Sequence, residues 1–498
     1  MAPTQSFSPS RRTLFLKAGY PFLLLSVIAC AVLSGSSTGN DVARRTHCPP
    51  VYFELLGDLP GDAFDSEPFD ISADGLRVVG GSWADDPDVP TDGGSYLVVE
   101  GGRPHALQAF GWTRPCRGEP FFPKSAVKPP RRSPTGIIGL GYYFPSDPSE
   151  SVANGISPDG EVVAGWSDVG SGGLNEAVLF TRNGAKTRLG KLTGDQISEA
   201  ADISQSYAGS MREIVFPPGS PSTRRIAHPR VTVGYSSSGN NHPKRVIGGK
   251  PVYWGPRPGE ITALPLPDSL PNGEPVASGE ATCVSDDGSV IGGNLYDASA
   301  FIFQGYHMRS VPCIWTLHTG DPKFVPNKYT FTLLDDFPGG DDDALVTHIS
   351  DDGKVAVGVG TTSAGQRACV WVRGPNGWGP PQDLGVLSGM DYSWALGVNQ
   401  DGSVIVGVSG LAYNPDTDTY RQLPVRWERH NGVTTPAQNL IDIFKANNIG
   451  QKIDDRWQMF ATRVSADGRT IIGGSAHPDF NSTDPNAGVT EGWIAGLP

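Results

Sequence analysis

The chain predicts an all-β fold: a single seven-bladed β-propeller with four antiparallel strands per blade, closed by an N-terminal strand that completes the last blade. Three observations predict it. A turn of the form Ile/Val-Ser/Asn-x-Asp-Gly recurs along the sequence, once in degenerate form. Each copy sits in a unit with four short apolar runs, and the smallest unit spacing, about 47 to 49 residues, is close to the length of one propeller blade. The two ends of the chain are complementary, one with a strand to spare and the other lacking one.

The segment before the repeats reads as an export signal over residues 1–35 and a linker over 36–50. Arg11, Arg12 and Lys17 precede an apolar run, Pro21 to Leu33, which is followed by small polar residues; that charge and apolarity order marks a signal sequence. Ser10-Arg11-Arg12-Thr13-Leu14-Phe15-Leu16 resembles a twin-arginine signal, and Val27-Ile28-Ala29-Cys30 resembles a bacterial lipobox. Cys30 therefore has two expected fates: lipidation as a membrane anchor, or removal with a cleaved signal. The expected compartment is extracellular, periplasmic or cell-surface.

From residue 51 to 498 the units follow in order. The turns are ISADG (71–75), ISPDG (156–160), the degenerate ISQSY (203–207), VSDDG (284–288), ISDDG (349–353), VNQDG (398–402) and VSADG (464–468). Asp-Gly between β-branched runs makes a tight hairpin, because the turn needs positive φ that glycine supplies. After each turn comes an apolar run ending in Gly, such as VVAGWS (162–167) or VIVGVS (404–409). A continuous rather than alternating run predicts a strand covered on both faces. The third strand carries Ala/Pro-x-x-Trp, as in PVYW (251–254), PCIW (312–315), ACVW (368–371) and PVRW (424–427). In the first unit YLVV (96–99) takes this place, without the Trp. Fourth strands are expected at IIGLG (137–141), TRLGKL (187–192), ITALPL (261–266), FTLLDDF (331–337), QDLGVL (382–387) and NLIDIF (439–444). Insertions are expected at 101–136 and 208–229. The last unit ends without a fourth strand, and VYFELLGDL (51–59) precedes the first turn as an orphan, so joining them removes an open sheet edge. A linear β-solenoid is the alternative, and it lacks a reason for complementary ends.

Composition agrees with many short strands. Glycine (64) and proline (44) are abundant, and only 18% of residues are charged. A net charge of -13 disfavours nucleic acid as a partner. Cys48 and Cys116 flank the first unit and form an expected disulfide in an oxidising compartment. Cys313 and Cys369 fall at equivalent third-strand positions, where buried, apolar thiols are expected.

The series LG-x-L-x-G, I-S-x-D-G, V-V-x-G-x-S and A/P-x-x-W resembles the HAF-type extracellular repeat proteins of bacteria over residues 51–498. That resemblance implies a secreted or surface-exposed repeat protein and supplies no reaction. Its departures are the degenerate third turn, the basic insertion in the first unit and the long loops.

Strand order then predicts where a site belongs. With the strand before each Asp-Gly turn innermost, small residues such as Gly155, Ser157, Ala201 and Ser204 suit a crowded axis. Long connections gather on the face opposite the tight turns, among them 83–94, 236–249, 294–311, 410–423 and 476–489. Long loops on one rim of a rigid scaffold are where binding groups tend to lie. Asn414-x-Asp416-x-Asp418 offers oxygens for calcium, with Asp416 and Asp418 as candidate ligands, although the glycine and distal glutamate of a full calcium loop are missing. Residues 101–136 are basic and aromatic (Arg103, Arg114, Arg117, Lys124, Lys128, Arg131, Arg132 with Phe110, Trp112, Phe121, Phe122), a mixture that docks on anionic surfaces or packs over a blade. No catalytic motif stands out: there is no H-E-x-x-H or P-loop, and no catalytic or organic-cofactor residue is nominated. The Asp of each turn, Asp74 or Asp467 for example, reads as turn chemistry. The expected role is a monomeric scaffold binding a protein or glycan through its loops, with membrane contact only through a lipid on Cys30. Alternatives are a hydrolase or lyase using axial carboxylates, and a purely structural surface protein.

Overall fold

The computed structural model describes residues 49–59, 66–85, 98–100, 103–114, 137–143, 150–169, 174–181, 184–205, 231–238, 249–256, 259–297, 309–317, 329–340, 343–414, 419–451, 453, 457–476 and 490–498. They form seven antiparallel sheets, each built around a four-strand path. The first strand of each sheet packs beside the first strand of the next, and that of the seventh packs beside that of the first, so the sheets close into a ring. The fold is the expected seven-bladed propeller.

Blade 1 contains Ser66–Ile71, Arg77–Asp85, Arg103–Thr113 and Ile137–Gly139, with a side hairpin at Val98–Glu100. Blades 2 to 6 begin with inner strands Ser151–Ile156, Ile197–Ile203, Val276–Val284, Leu345–Ile349 and Tyr392–Val398. Blade 7 contains Gln458–Val464, Thr470–Ala476 and Thr490–Gly496, and its fourth strand is the N-terminal Tyr52–Leu55, paired antiparallel as Tyr52↔Gly496 through Leu55↔Trp493. This closure is secured from blade 1. The Arg114 guanidinium lies 3.4 Å from the Tyr52 ring centroid and donates to the Pro49 carbonyl at 2.8 Å, combining a cation–π contact with a charge-assisted bond.

Two sequence expectations are corrected. YLVV (96–99) is not the third strand of blade 1; that strand is Arg103–Thr113, where Ala109-Phe110-Gly111-Trp112 supplies the Ala-x-x-Trp pattern. Residues 103–113, expected within an insertion, are therefore blade core, and Trp112 is fully buried. NLIDIF is not a strand either. Only Gln438–Asn439 pairs, after which Leu440–Ala446 is helical. Asn439 caps the helix by accepting from the Ile441 N–H, and Leu440, Ile441 and Phe444 bury one face at helical spacing.

The repeated motif has a clear physical content. Every inner strand carries a register shift, at Pro68/Asp70, Ala153/Gly155, Ala200/Asp202, Ala281/Cys283, Val346/His348, Ala395/Gly397 and Ala461/Arg463. Such a bulge twists the strand and re-aims its side chains. It also drives a carbonyl onto the second strand: a Cβ on Gly80, Gly165, Gly234, Gly293, Gly358, Gly407 or Gly473 would lie 1.8 to 2.2 Å from a carbonyl oxygen of the inner strand. The Gly of V-V-x-G-x-S is thus set by close backbone approach, a requirement hidden in the sequence.

At the turn, Ser72 Oγ donates to Asp74 Oδ1 (2.5 Å) and accepts from Arg77 N, while Asp74 Oδ1 accepts from Leu76 N. The same arrangement recurs at Ser157/Asp159, Ser285/Asp287, Ser350/Asp352 and Ser465/Asp467. In blade 3, Ser204 N donates to Val231 O and Val231 N donates to Ser204 Oγ at 2.8 Å, so the strand ends are tied across residues 206–230 as they are across a tight turn.

Candidate functional site

The bulges place one residue of each blade at the axis, five of them with side chains beyond glycine: Asp70, Gly155, Asp202, Cys283, His348, Gly397 and Arg463. Groups from blades far apart in sequence meet there. Arg463 Nε lies 3.7 Å from Asp70 Oδ1, Asp202 feels the charges of both Asp70 and Arg463, and the Arg463 charge reaches His348. One cation faces two carboxylates at this level.

Burial, partly offset by Arg463, pushes the Asp70 carboxyl up to about 6. Burial and then the Asp70 charge push Asp202 up to about 8. At the turn-side mouth of the axis, burial and the Asp202 charge raise Asp286 to about 7, while burial and the Asp286 charge raise Asp351 to about 8. His348 is pulled well below its usual value by burial and by Arg463. The Cys283 thiol is pushed up to about 12 by burial and the Asp202 charge, and so is inert as a nucleophile.

The polar atoms of this ring join blades to one another. Asp70 Oδ2 accepts from Ile156 N of blade 2 and Asp202 Oδ2 from Val284 N of blade 4, both at 2.8 Å. His348 Nδ1 accepts from Val398 N of blade 6 at 3.3 Å. Where the preceding residue has a side-chain donor, that donor also reaches the next blade: Asn154 to Ala200 O, Thr282 to Val346 O, Thr347 to Ala395 O and Thr462 to Pro68 O. Leu396 and Gly397 of blade 6 have neither, and Arg463 Nη1 reaches back to Leu396 O at 2.6 Å. Each seam thus has an axial bond, built from whichever residue can make it. Such buried groups need partners, since an unpaired one costs about 1–3 kcal/mol.

The small residues expected at the axis are partly there. Gly155 lies in the ring, where a Cβ would come 2.9 Å from Asp202 Cα. Ser157 and Ser204 are buried turn residues. The charged ring members were missed in the sequence; their signal is the position two before each motif Ser or Asn, which only a bulge in every inner strand turns toward the axis. The turn aspartates hold local backbone, and Cys313 and Cys369 are free and buried, as expected. Asp416, Asp418, Cys30, Cys48 and Cys116 lie outside the described residues, as do most of the long loops. Among the described residues, no group of three or more His, Cys, Asp or Glu side chains is arranged to hold a metal.

No family model matches the chain, and no curated protein matches it. Solved structures with distant likeness include a protein of unknown function from Dyadobacter fermentans, at 12% identity and TM-score 0.37, covering 91% of this chain and 100% of that one. A phage phi92 endosialidase matches at 9% identity and TM-score 0.34 over 91% of this chain and 68% of its own. An oligogalacturonate lyase in complex with manganese matches at 11% identity and TM-score 0.30 over 70% of this chain and 88% of that one. At these values the likeness brings no activity to this chain, which stands as a seven-bladed β-propeller scaffold with distant structural neighbours.

Proposed function

We propose that this propeller is an exported HAF-type repeat protein that binds a protein or glycan ligand at the cell envelope through the loops opposite its Asp-Gly turns. One observation carries the reading: the axial polar side chains are engaged with the backbone of adjacent blades, so the interior is committed to holding the ring, while chain length free to vary gathers on one rim. Second-to-third strand connections leave from Asp85, Ser237, Asp297 and Ala476 and return at Arg103, Gly249, Ser310 and Thr490. Apart from the third, the described first-to-second connections on the other face are tight turns. Variable length on a fixed rim suits recognition.

The test is retention of the purified chain on bacterial envelope glycans and on intact cells, before and after replacing 239–248 and 477–489 with short Gly-Ser linkers. Binding that the replacements abolish, with the melting temperature unchanged, supports the reading. Binding indifferent to both replacements overturns it. A hydrolase or lyase remains the second reading, favoured by the raised pKa of Asp286 and Asp351. Cleavage of an envelope glycan that is lost in Asp351→Asn would replace binding by catalysis as the conclusion.

A further inference from the structure

The seven axial seams are unequal. On the turn face, the residue after the motif Ser of blades 1, 3, 4 and 7 donates its N–H to the next blade: Ala466 N to Ala73 O, Ala73 N to Pro158 O, Gln205 N to Asp286 O and Asp286 N to Asp351 O. Asp352 N to Gln400 O and Asn399 Nδ2 to Ala466 O continue the circle. Between blades 2 and 3 it is broken, because the residue that would donate is Pro158, which has no N–H. At the level of the bulge, the Asn154 side chain bonds Ala200 O across this seam at 2.8 Å.

Two carboxylates bear on the same place. Asp70 reaches in from blade 1 to accept from Ile156 N. From blade 3, Asp202 Oδ1 would lie 3.0 Å from a Cβ on Gly155. They therefore converge on the Gly155–Ile156 peptide of blade 2 from opposite sides.

We propose that the axial end of the seam between blades 2 and 3 is a pH-sensitive opening point, closed while Asp70 and Asp202 share a single negative charge and loosened when both are ionised. Arg463 of blade 7 balances one carboxylate. The other groups facing the pair do not balance the second: His348 is held neutral by burial and the Arg463 charge, and Cys283 stays a thiol. Asp286 and Asp351 at the mouth add negative charge, and Asp159 and Asp287 of the turns face Asp286. Asp202, raised by burial and by Asp70, is the member of the pair that gains charge as pH rises through neutrality. Repulsion at low dielectric then acts across blade 2, where the turn-face bond is missing.

Hydrogen exchange of the full chain tests this at about pH 6.5 and 8.5, after correction for intrinsic exchange rates. Protection of peptides covering 150–157 and 197–204 should fall about tenfold between these pH values in the wild type and hold constant in Asp202→Asn, whose side-chain oxygen still accepts from Val284 N. Peptides covering 394–399 and 459–465, at the seam between blades 6 and 7, should not change in either protein. An equal fall in Asp202→Asn, an equal fall at both seams, or no fall overturns the proposal; a fall driven by Asp286 and Asp351, which remain in the variant, would persist there. Should Asp202→Asn not fold, Pro158→Ala supplies the missing N–H opposite Gln205 O and should shrink the wild-type fall, and an unchanged fall overturns the proposal.

Discussion

The inner two strands of each blade and the outer two obey different rules. Inside, all seven blades repeat a bulged first strand and a second strand whose glycine lies under a carbonyl, and every blade but the third has a described turn held by side-chain oxygens. Outside, the fourth strand is three residues in blade 2, two in blade 5, a two-residue pair leading into a helix in blade 6, and Tyr52–Leu55, from before the first blade, in blade 7. Geometry explains the contrast. Near the axis the blades crowd together and backbone meets backbone, whereas toward the rim the wedge opens and side chains such as Trp254, Trp315, Trp371 and Trp427 fill it. An outer strand needs only to cover that wedge, so several kinds of segment suffice.

The sharpest way to break the comparison is to remove the one outer strand on which ring closure depends. Deleting residues 49–57 should expose Trp493, on which Phe53 stacks at 5.9 Å, and leave an open edge. The expected result is loss of soluble monomer, or a fall in melting temperature beyond about 10 °C, seen by size-exclusion chromatography and thermal unfolding. A fully stable monomer would show that closure does not govern stability.

Next, Gly407→Ala places a Cβ 1.9 Å from Trp394 O in the inner half and should cost about 3 kcal/mol or more, because backbone must move. Gly385→Ala, further out at φ 74° with open space around it, should cost only about 1 kcal/mol. Chemical denaturation of both variants measures the difference, and equal losses would remove the distinction between inner and outer glycines.

A smaller effect concerns charge at the axis. Asp202, Asp286 and Asp351 have carboxyl pKa values raised above the unfolded value, so the folded state holds protons that the unfolded chain has released. Stability should therefore rise as pH falls from about 8.5 to 6.5, by about 2 °C or more in melting temperature, and Asp351→Asn should flatten the slope. Below about pH 6.5 His348, neutral in the fold, works the other way, since the unfolded chain takes up its proton. A melting temperature that instead rises with pH over the upper window would contradict these assignments.

The smallest effect expected is at the loop rim. Calcium should raise the melting temperature by about 1–2 °C if Asp416 and Asp418 hold it, and the double substitution Asp416→Ala and Asp418→Ala should abolish that rise. No response in the unsubstituted chain would remove calcium from consideration.

Much of this architecture was legible in the sequence, and for a local reason. Asp-Gly turns, apolar second strands and an orphan strand at residues 51–59 are written in neighbouring residues, so blade number, strand order and closure could be read directly. Failures occurred where local signals competed. YLVV has strand composition, yet Ala109-Phe110-Gly111-Trp112 fits the blade; Leu440, Ile441 and Phe444 suit a strand or a helix until the cap at Asn439 decides. The candidate site was least legible. Asp70, Asp202, His348 and Arg463 stand at one motif position in different blades, carrying carboxylate, imidazole and guanidinium groups, and lie 115 to 393 residues apart. The sequence by itself determined the repeating unit and its closure, because hairpins and apolar runs are short-range. Only the tertiary structure decided what fills the axis: a bulge at one position in every inner strand brings unlike side chains together in a space that no single blade encloses.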